Sequence, residues 1–164
     1  FLDRERKMDR DADLVLVFGG TNDYGHGDAL MGDMSSESEY TFYGAMKQLV
    51  EALIRDFGRE KVIFILPLPR YDQDNVLGEN EVKMGSVFPL SRHDKDHPVE
   101  ALYPLSAYIQ AKKDVLEHYQ VRYMDLSGDF PVPTTNTGDE LTMDGLHPNI
   151  AGHRYLADVI CAKL

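Results

Sequence analysis

Two short apolar runs of the same design limit the folds open to this chain. The first, from Asp13 to Phe18, ends at Gly19-Gly20, and the second runs from Lys61 to Pro67. Such runs are typical of strands that are covered on both faces in a parallel sheet. Between them, apolar side chains recur at helical spacing before a stop at Gly58: Phe42, Met46, Leu49, Val50, Leu53, Ile54 and Phe57. A strand, an amphipathic helix and a second strand predict a right-handed βαβ crossover.

The second half of the chain continues this alternation. We predict a helix from about Leu102 to Tyr119 and a short strand from Val121 to Leu126. Asn149 is a good N-cap for a last helix, whose apolar stripe at i, i+3, i+4 and i+7 comprises Ala157, Ile160, Cys161 and Leu164. The length suits one domain, and we find no internal repeat or linker. Residues 1–164 are therefore expected to form a single α/β layered domain.

The segment from Arg70 to about Tyr103 interrupts the pattern. It lacks periodicity and carries many charges together with Gly78, Gly85, Pro89 and Pro98. A structureless stretch of this length is uncommon inside a compact domain, so it is either a binding loop over the site or a variable surface insertion. A short hairpin around Val82 to Phe88 is also expected.

Composition excludes some classes of partner. The formal net charge of −11 argues against nucleic acid and against an anionic membrane surface, because both need clustered Lys and Arg. No run approaches the about 18 apolar residues of a membrane span, and no signal-like segment begins the chain. Cys161 is the one cysteine, so we expect no intrachain disulfide, a core thiol and a cytoplasmic location.

An aspartate and a histidine lie three residues apart in the stretch from Thr142 to Asn149. At that spacing the carboxylate of Asp144 can accept the Nδ1–H of His147 within one turn and leave Nε2 facing a substrate or nucleophile. Pro148 disfavours helical geometry at His147, which indicates a rigid loop. The stretch predicts the base half of a hydrolytic triad.

A second motif, Gly20-Thr21-Asn22-Asp23, directly follows the first apolar strand. Ligands of open parallel sheets bind beyond the carboxyl ends of the strands. The side-chain amide of Asn22 is an uncharged donor that could stabilise a developing oxyanion there. Alternatively, Asn22 and Asp23 only build an Asx turn around the glycines.

Together the two motifs resemble the SGNH hydrolase superfamily, also called GDSL-type esterases and lipases. Gly20-Thr21-Asn22-Asp23 is similar to that family's third block, Asp144-Gly145-Leu146-His147 is similar to its fifth, and the order agrees. The resemblance extends from about Asp11 to the C-terminus. It implies a flavodoxin-like, three-layer α/β/α fold around a parallel sheet.

The resemblance also implies roles for single residues. Asn22 would be the oxyanion-hole donor, His147 the base and Asp144 the carboxylate that orients it. No metal or organic cofactor is needed for this chemistry. Around Asn22, the candidates for contact with the substrate are Gly20, Thr21, Asp23 and His26.

The nucleophile of the resemblance has no counterpart. In this family the serine lies in a Gly-Asp-Ser motif after the first strand, before the Asn block, and an intervening glycine adds an oxyanion N–H. Only twelve residues precede Asp13, whereas a βαβ unit needs ~30 residues. We therefore expect a C-terminal portion of a longer domain, with N-terminal strands missing and the nucleophilic serine upstream.

Other serines and histidines fit catalytic roles less well. Ser127-Gly128-Asp129 reverses the order of the family motif and favours a plain turn, while Ser35, Ser36 and Ser38 are typical of helix capping. His93 and His97 could bind a metal, but a solvated loop is the favoured interpretation. His153 lacks an aspartate three residues before it, which favours packing or capping. His118 is expected at the surface.

The sequence thus predicts a serine ester hydrolase acting on a small-molecule acyl ester or carbohydrate-linked ester. An acyltransferase and a non-catalytic ligand-binding module of the same fold are the alternatives. Without its nucleophile, the chain by itself is expected to be inactive. The strand from Asp13 to Phe18 would then be an exposed apolar edge, so we expect a homo-oligomer or a marginal fold.

Overall fold

The computed structural model describes residues 2–26, 30–74 and 103–164. The helices are α1 (Leu2–Glu5), α2 (Thr21–His26), α3 (Phe42–Phe57), α4 (Leu105–His118) and α5 (Ile150–Lys163). The strands are β1 (Val15–Phe18), β2 (Val62–Ile65) and β3 (Arg122–Met124), and a 3₁₀ turn, Arg59–Lys61, precedes β2. None of the described helices is long and apolar enough to cross a membrane.

The three strands form one parallel sheet in the order β1-β2-β3. Val15 pairs with Val62 and Phe18 with Ile65, while Ile65 also pairs with Met124 on the other side. All four side chains of β2 are buried, as expected for the central strand of a parallel sheet. The predicted βαβ unit is confirmed, and the carboxyl ends of all three strands meet at one edge.

Helices α3 and α4 form the layer on one face of this sheet. The helix α3 begins after Thr41, whose hydroxyl accepts a hydrogen bond from the N–H of Gly44 at 3.2 Å. It ends at Gly58, where φ is +86° and glycine is favoured. Its apolar stripe packs with α4 against the face that carries Val15, Val17, Val62 and Phe64. The helix predicted from residue 42 to 57 is confirmed at both ends.

Helix α5 forms the layer on the opposite face, and its N-cap is Asn149 as predicted. The predicted apolar stripe is wrong, because Ala157, Cys161 and Leu164 are exposed. The face that meets the sheet is rotated relative to the prediction and uses Leu156, Val159 and Ile160. With helices on both faces of a parallel sheet, the predicted three-layer α/β/α class is confirmed.

Strand β1 departs from the prediction that it is covered on both faces. Val15 and Val17 are buried against α3 and α4, but Leu14, Leu16 and Phe18 are each 42–43% exposed. In the described residues, α5 packs over the columns of β2 and β3 and leaves this side of β1 open. The predicted hairpin at 82–88 and most of the segment from Arg70 to Tyr103 lie outside the described residues.

Candidate active site

The turn after β1 places Asn22 at the carboxyl edge of the sheet. Gly20 has a φ of +103°, which lets the chain reverse directly into α2. Asn22 lies in the first turn of this helix and is exposed. The sequence did not predict α2, because a six-residue helix with an internal glycine has no apolar period to detect.

The Asp144–His147 pair forms as predicted, in a loop. Nδ1 of His147 lies 2.8 Å from Oδ2 of Asp144. The other oxygen, Oδ1, accepts hydrogen bonds from the N–H groups of Leu146 at 3.1 Å and His147 at 2.7 Å. Because an ionised carboxylate can only accept, Nδ1 carries the proton and Nε2 is the ring nitrogen suited to accept another.

The environment keeps Asp144 ionised. Partial burial raises the pKa of this carboxyl, but hydrogen bonds from the backbone and ring of His147 and from the backbone of Leu146 outweigh burial. The net pKa of Asp144 therefore lies below its ordinary value of 3.8. The carboxylate can orient His147 and stabilise its cation throughout the neutral pH range.

The loop that carries this pair is closed by a dense set of hydrogen bonds. The N–H of Met143 donates to the carbonyl of His147 at 2.8 Å, and the buried hydroxyl of Thr142 accepts from Gly145 at 3.1 Å. The side-chain amide of Asn149 donates to the carbonyls of Asp139, Glu140 and Thr142, while its oxygen caps α5. His147 is thus fixed in the loop just before α5.

One cleft of about 400 Å³ brings the two predicted motifs together. Asn22 and Thr21 from α2 line it together with His147. Much of the remaining wall is apolar, formed by Phe18, Pro67, Leu68, Leu146, Pro148, Leu156, Ala157 and Ile160. A cleft of this size with few polar groups matches the usual form of a small-molecule site.

Some predicted site residues lie elsewhere. Gly20 and Asp23 line a separate cleft of about 410 Å³ on the α3 side of the sheet, together with Lys112. His26 ends α2, and its side chain is outside the described residues, as are His93 and His97. Within the described ranges, no three His, Cys, Asp or Glu side chains are grouped as a metal site requires.

The serines considered as stand-in nucleophiles also lie elsewhere. The hydroxyl of Ser127 donates to Asp125 at 2.6 Å in the turn after β3, which agrees with the turn interpretation. Ser35 and Ser36 hydrogen-bond with Asp33 in another turn. The residue that caps α3 is Thr41 rather than one of these serines. No serine lines the Asn22–His147 cleft among the described residues.

Two features of the site were missed by sequence reasoning. His153, predicted to have a packing or a capping role, is exposed on α5 and lines the same cleft as His147, so the packing alternative is wrong. Arg70 and Asp72, which are 3% and 2% exposed, form an ion pair just beyond β2. Arg70 directly follows the apolar run from Val62 to Pro69, and a charge at the end of that run is the sequence signal that could have marked it.

A third buried charge, Lys112 of α4, joins the ends of two strands. Its ammonium donates to the carbonyls of Gly19 and Ile65, each at 2.9 Å. Burial lowers the pKa of Lys112 to about 7, although the charge of Asp23 opposes this shift. Lys112 thus ties the carboxyl end of β1 to that of β2.

Comparison with known proteins decides the family. The family model of the GDSL-like Lipase/Acylhydrolase family matches residues 2–155, nearly the whole chain. The chain belongs to this family. Its members are hydrolases that act on esters, and both the recognised motifs and the α/β/α fold agree with membership. No curated protein matches the chain significantly.

Solved structures repeat the fold of this GDSL-like chain. A protein from Lactobacillus plantarum is 24% identical with a TM-score of 0.72, over 100% of this chain and 72% of that one. A GDSL-like lipase from Bacteroides thetaiotaomicron is 19% identical (TM-score 0.55; 99% and 67% covered). A catalytic mutant of an acetylxylan esterase from Geobacillus stearothermophilus is 16% identical (TM-score 0.54; 98% and 64% covered). At these identities the likeness is one of fold.

Proposed function

We propose that the protein is a serine ester hydrolase in which His147 is the general base. The observation that carries this proposal is that Asn22 and His147 line one cleft while Asp144 holds Nδ1 of His147. A base oriented by a carboxylate and facing an uncharged amide donor is the arrangement that acyl transfer requires. The family provides the hydrolase class, and this geometry supports the assignment of residues.

Each residue has a distinct role in the proposed reaction. Nε2 of His147 takes the proton of a serine hydroxyl as that oxygen attacks the ester carbonyl, and later returns it to the leaving alcohol. Asp144 stabilises the imidazolium formed in between. The side-chain N–H of Asn22 donates to the oxyanion of the tetrahedral intermediate. The attacking serine is a residue outside the described lining of the cleft.

The cleft favours a small ester. Its volume of about 400 Å³ lies toward the lower end of the range for small-molecule sites. The apolar wall suits the acyl group, and the polar composition of the segment after Arg70 favours a polar or carbohydrate alcohol over a long-chain lipid. An acetylxylan esterase is among the similar folds, so acetylated carbohydrates belong in the substrate panel.

Hydrolysis of a short aryl acetate by the protein in its natural length tests the proposal. We expect His147→Ala to lower kcat/KM by at least about 10³ while the fold, followed by circular dichroism, is retained. A matched variant, His118→Ala, changes an exposed histidine at the end of α4 and should have no effect. If His147→Ala stayed within about threefold of wild type, the assignment of the base would be wrong.

Two further measurements separate the alternatives. Labelling with a fluorophosphonate followed by peptide mapping identifies the nucleophile, and the absence of any labelled serine would favour a non-catalytic binding module. Added alcohol or sugar tests the acyltransferase alternative. If the acyl group passes to that acceptor in preference to water, the hydrolase assignment fails while the roles of Asn22 and His147 stand.

A further inference from the structure

A buried ion pair, Arg70 with Asp72, lies just beyond β2 and outside the lining of the cleft. The guanidinium of Arg70 donates through Nε and Nη2 to the two carboxylate oxygens of Asp72, the second bond measuring 2.9 Å. Both side chains are almost fully buried. A buried pair of this kind gains little net stability over apolar packing, because removing two charges from water is costly. Its geometry therefore needs an explanation other than stability.

The pair clamps the helix that carries Asn22. Nη1 of Arg70 lies 3.4 Å from the hydroxyl and 3.5 Å from the carbonyl oxygen of Thr21, and the guanidinium stacks 5.0 Å from the ring centre of Tyr24. The hydroxyl of Tyr24 donates to the backbone carbonyl of Asp72. All of these contacts involve α2, and Asn22 lies between Thr21 and Tyr24 in the chain.

Arg70 approaches α2 closely at Gly25. A Cβ at this position would lie 3.0 Å from Nη1 of Arg70. Since Arg70 is held by Asp72, it cannot easily move aside. The glycine in a helix of six residues is thus explained by the close approach of the guanidinium.

The residue between the two charges reaches the other half of the site. The backbone N–H of Tyr71 donates to the carbonyl of Gly145 at 3.1 Å. Gly145 follows Asp144 directly and has a φ of +74°, and a Cβ there would lie 2.9 Å from the Tyr71 ring. The loop of Asp144 and His147 is thus joined by a backbone hydrogen bond to the residue between the two that clamp α2.

We propose that residues 70–72 form a bracket that sets the position of Asn22 relative to His147, with Arg70 as a positioning residue. The inference rests on the proposed function and deepens it. An oxyanion donor is effective only where charge develops, so displacement of α2 or of the loop of Asp144 and His147 by a fraction of an ångström lowers the rate. The bracket joins this helix and this loop, which come from distant parts of the chain, through consecutive residues.

A paired substitution tests the bracket without leaving a lone buried charge. Arg70→Met together with Asp72→Leu removes both members, which avoids the penalty of an uncompensated charge. Lys163→Met together with Asp129→Leu is the control, since it also replaces a paired cation by Met and its aspartate by Leu, at a pair whose side chains are 40% and 35% exposed. Gly25→Ala is a third variant that pushes on Arg70 while all charges remain.

Two readouts are measured on each variant. Without substrate, the amide resonance of Asn22 reports the position of α2, and those of Gly145 and His147 report the loop of Asp144 and His147. Hydrolysis of an aryl acetate by the natural-length protein reports catalysis. In the paired variant and in Gly25→Ala, we expect both sets of resonances to shift. In the same two variants kcat should fall at least about tenfold, while KM changes less than about twofold. The control should be unchanged in all three measurements. Arg70→Lys keeps the charge but loses the planar guanidinium that donates two parallel hydrogen bonds, so its kcat should lie between those of wild type and the paired variant.

The outcomes separate the two proposals. The bracket proposal is wrong if the resonances shift only in α2 or only in the loop of Asp144 and His147. It is also wrong if kcat stays within about twofold of wild type. If the paired variant loses its fold by circular dichroism, the same criteria apply to Gly25→Ala. If His147→Ala leaves hydrolysis intact, the proposed function is wrong. The resonances still decide whether residues 70–72 hold both α2 and the loop of Asp144 and His147.

Discussion

Nδ1 of His147 lies 2.8 Å from Oδ2 of Asp144, and the backbone N–H of His147 donates to the other oxygen of the same carboxylate. One aspartate therefore fixes both the ring and the main chain of the histidine. This double contact lies within four consecutive residues, and hydrogen bonds with Asn149, Thr142 and Tyr71 hold the loop around it. It makes Asp144 more than a source of negative charge.

Replacing Asp144 by Asn should reveal this orienting role. The amide can donate to Nδ1, which favours the ring tautomer with Nε2 protonated and removes the base. We expect kcat to fall by about 10⁴, the loss seen for the same change in a serine protease triad. Kinetics with an aryl acetate measure the loss, and Asp129→Asn on the surface is the control. A loss below about tenfold would contradict the assigned role.

Asn22 should affect the transition state rather than binding of the ground state. Asn22→Ala removes the side-chain donor and should lower kcat by about 10²–10³, equivalent to about 2.7–4 kcal/mol, with little change in KM. Asn22→Asp keeps the shape but replaces the donor by a negative charge, so its loss should be larger. Equal activities of the two variants, or a change confined to KM, would argue against an oxyanion contact.

His153 lines the same cleft as His147 and is the competing base. Among the described residues, no carboxylate bonds its ring, in contrast to the pair at His147. We therefore expect His153→Gln to retain kcat within about threefold of wild type, while His147→Gln loses at least about 10³. Steady-state kinetics on both variants decide between them. The reverse ranking would move the base to α5.

Lys112 should make stability depend on pH. Its pKa is about 7 in the folded chain against an ordinary value of 10.5, so between these values the unfolded chain binds more protons. The free energy of unfolding therefore rises with pH between about 7 and 10.5. The cost of burying the ammonium charge applies in full only below about pH 7, where Lys112 is charged in the folded chain. We expect the free energy of unfolding of wild type, relative to Lys112→Met, to rise by about 2 kcal/mol from about pH 7 to about pH 9.

Urea unfolding at several pH values measures this difference. The series stops near pH 9 because burial raises the pKa values of Tyr43 and Tyr119 to about 12, and their titration in the unfolded chain lowers stability as the pH rises past about 10. Lys113→Met, at the neighbouring residue whose side chain is 26% exposed and paired with Asp125, is the control and should follow wild type over this range. A constant difference between wild type and Lys112→Met would contradict the prediction.

The elements that the sequence predicted correctly depend on local patterns. Helix α3 has an apolar period over its whole length and a glycine stop, so both ends could be located. The Asp144–His147 pair needed only a spacing of three residues and a proline. Both features are determined within a few turns of chain.

The features that were missed depend on contacts between distant residues. Arg70 meets Thr21 across 49 positions, and no local pattern in either segment marks the partner. The stripe of α5 was wrong for a related reason, since Ile160 and Cys161 are both apolar and only the packed sheet decides which is covered. The exposed side of β1 likewise depends on where α5 lies, which the apolar run could not reveal.

That exposed side of β1 leads to a prediction about association. Leu14, Leu16 and Phe18 present adjoining apolar surface on a strand that pairs on one side only within the described residues. Such a surface and an unpaired edge both favour contact with a second chain. We expect the 164-residue chain to self-associate at micromolar concentration, with a weight-average mass that rises with concentration in sedimentation equilibrium.

Charges on this face should reverse the association. Leu14→Lys with Leu16→Lys places two ammonium groups on the apolar strip without touching the cleft, and mutual repulsion across a pair of chains then opposes contact. Val132→Lys, at an apolar residue that is 50% exposed and lies on a loop away from β1, is the control and should associate as wild type does. A wild-type mass of one chain at every concentration would contradict the prediction. An association that survives both lysines would place the contact on a different surface.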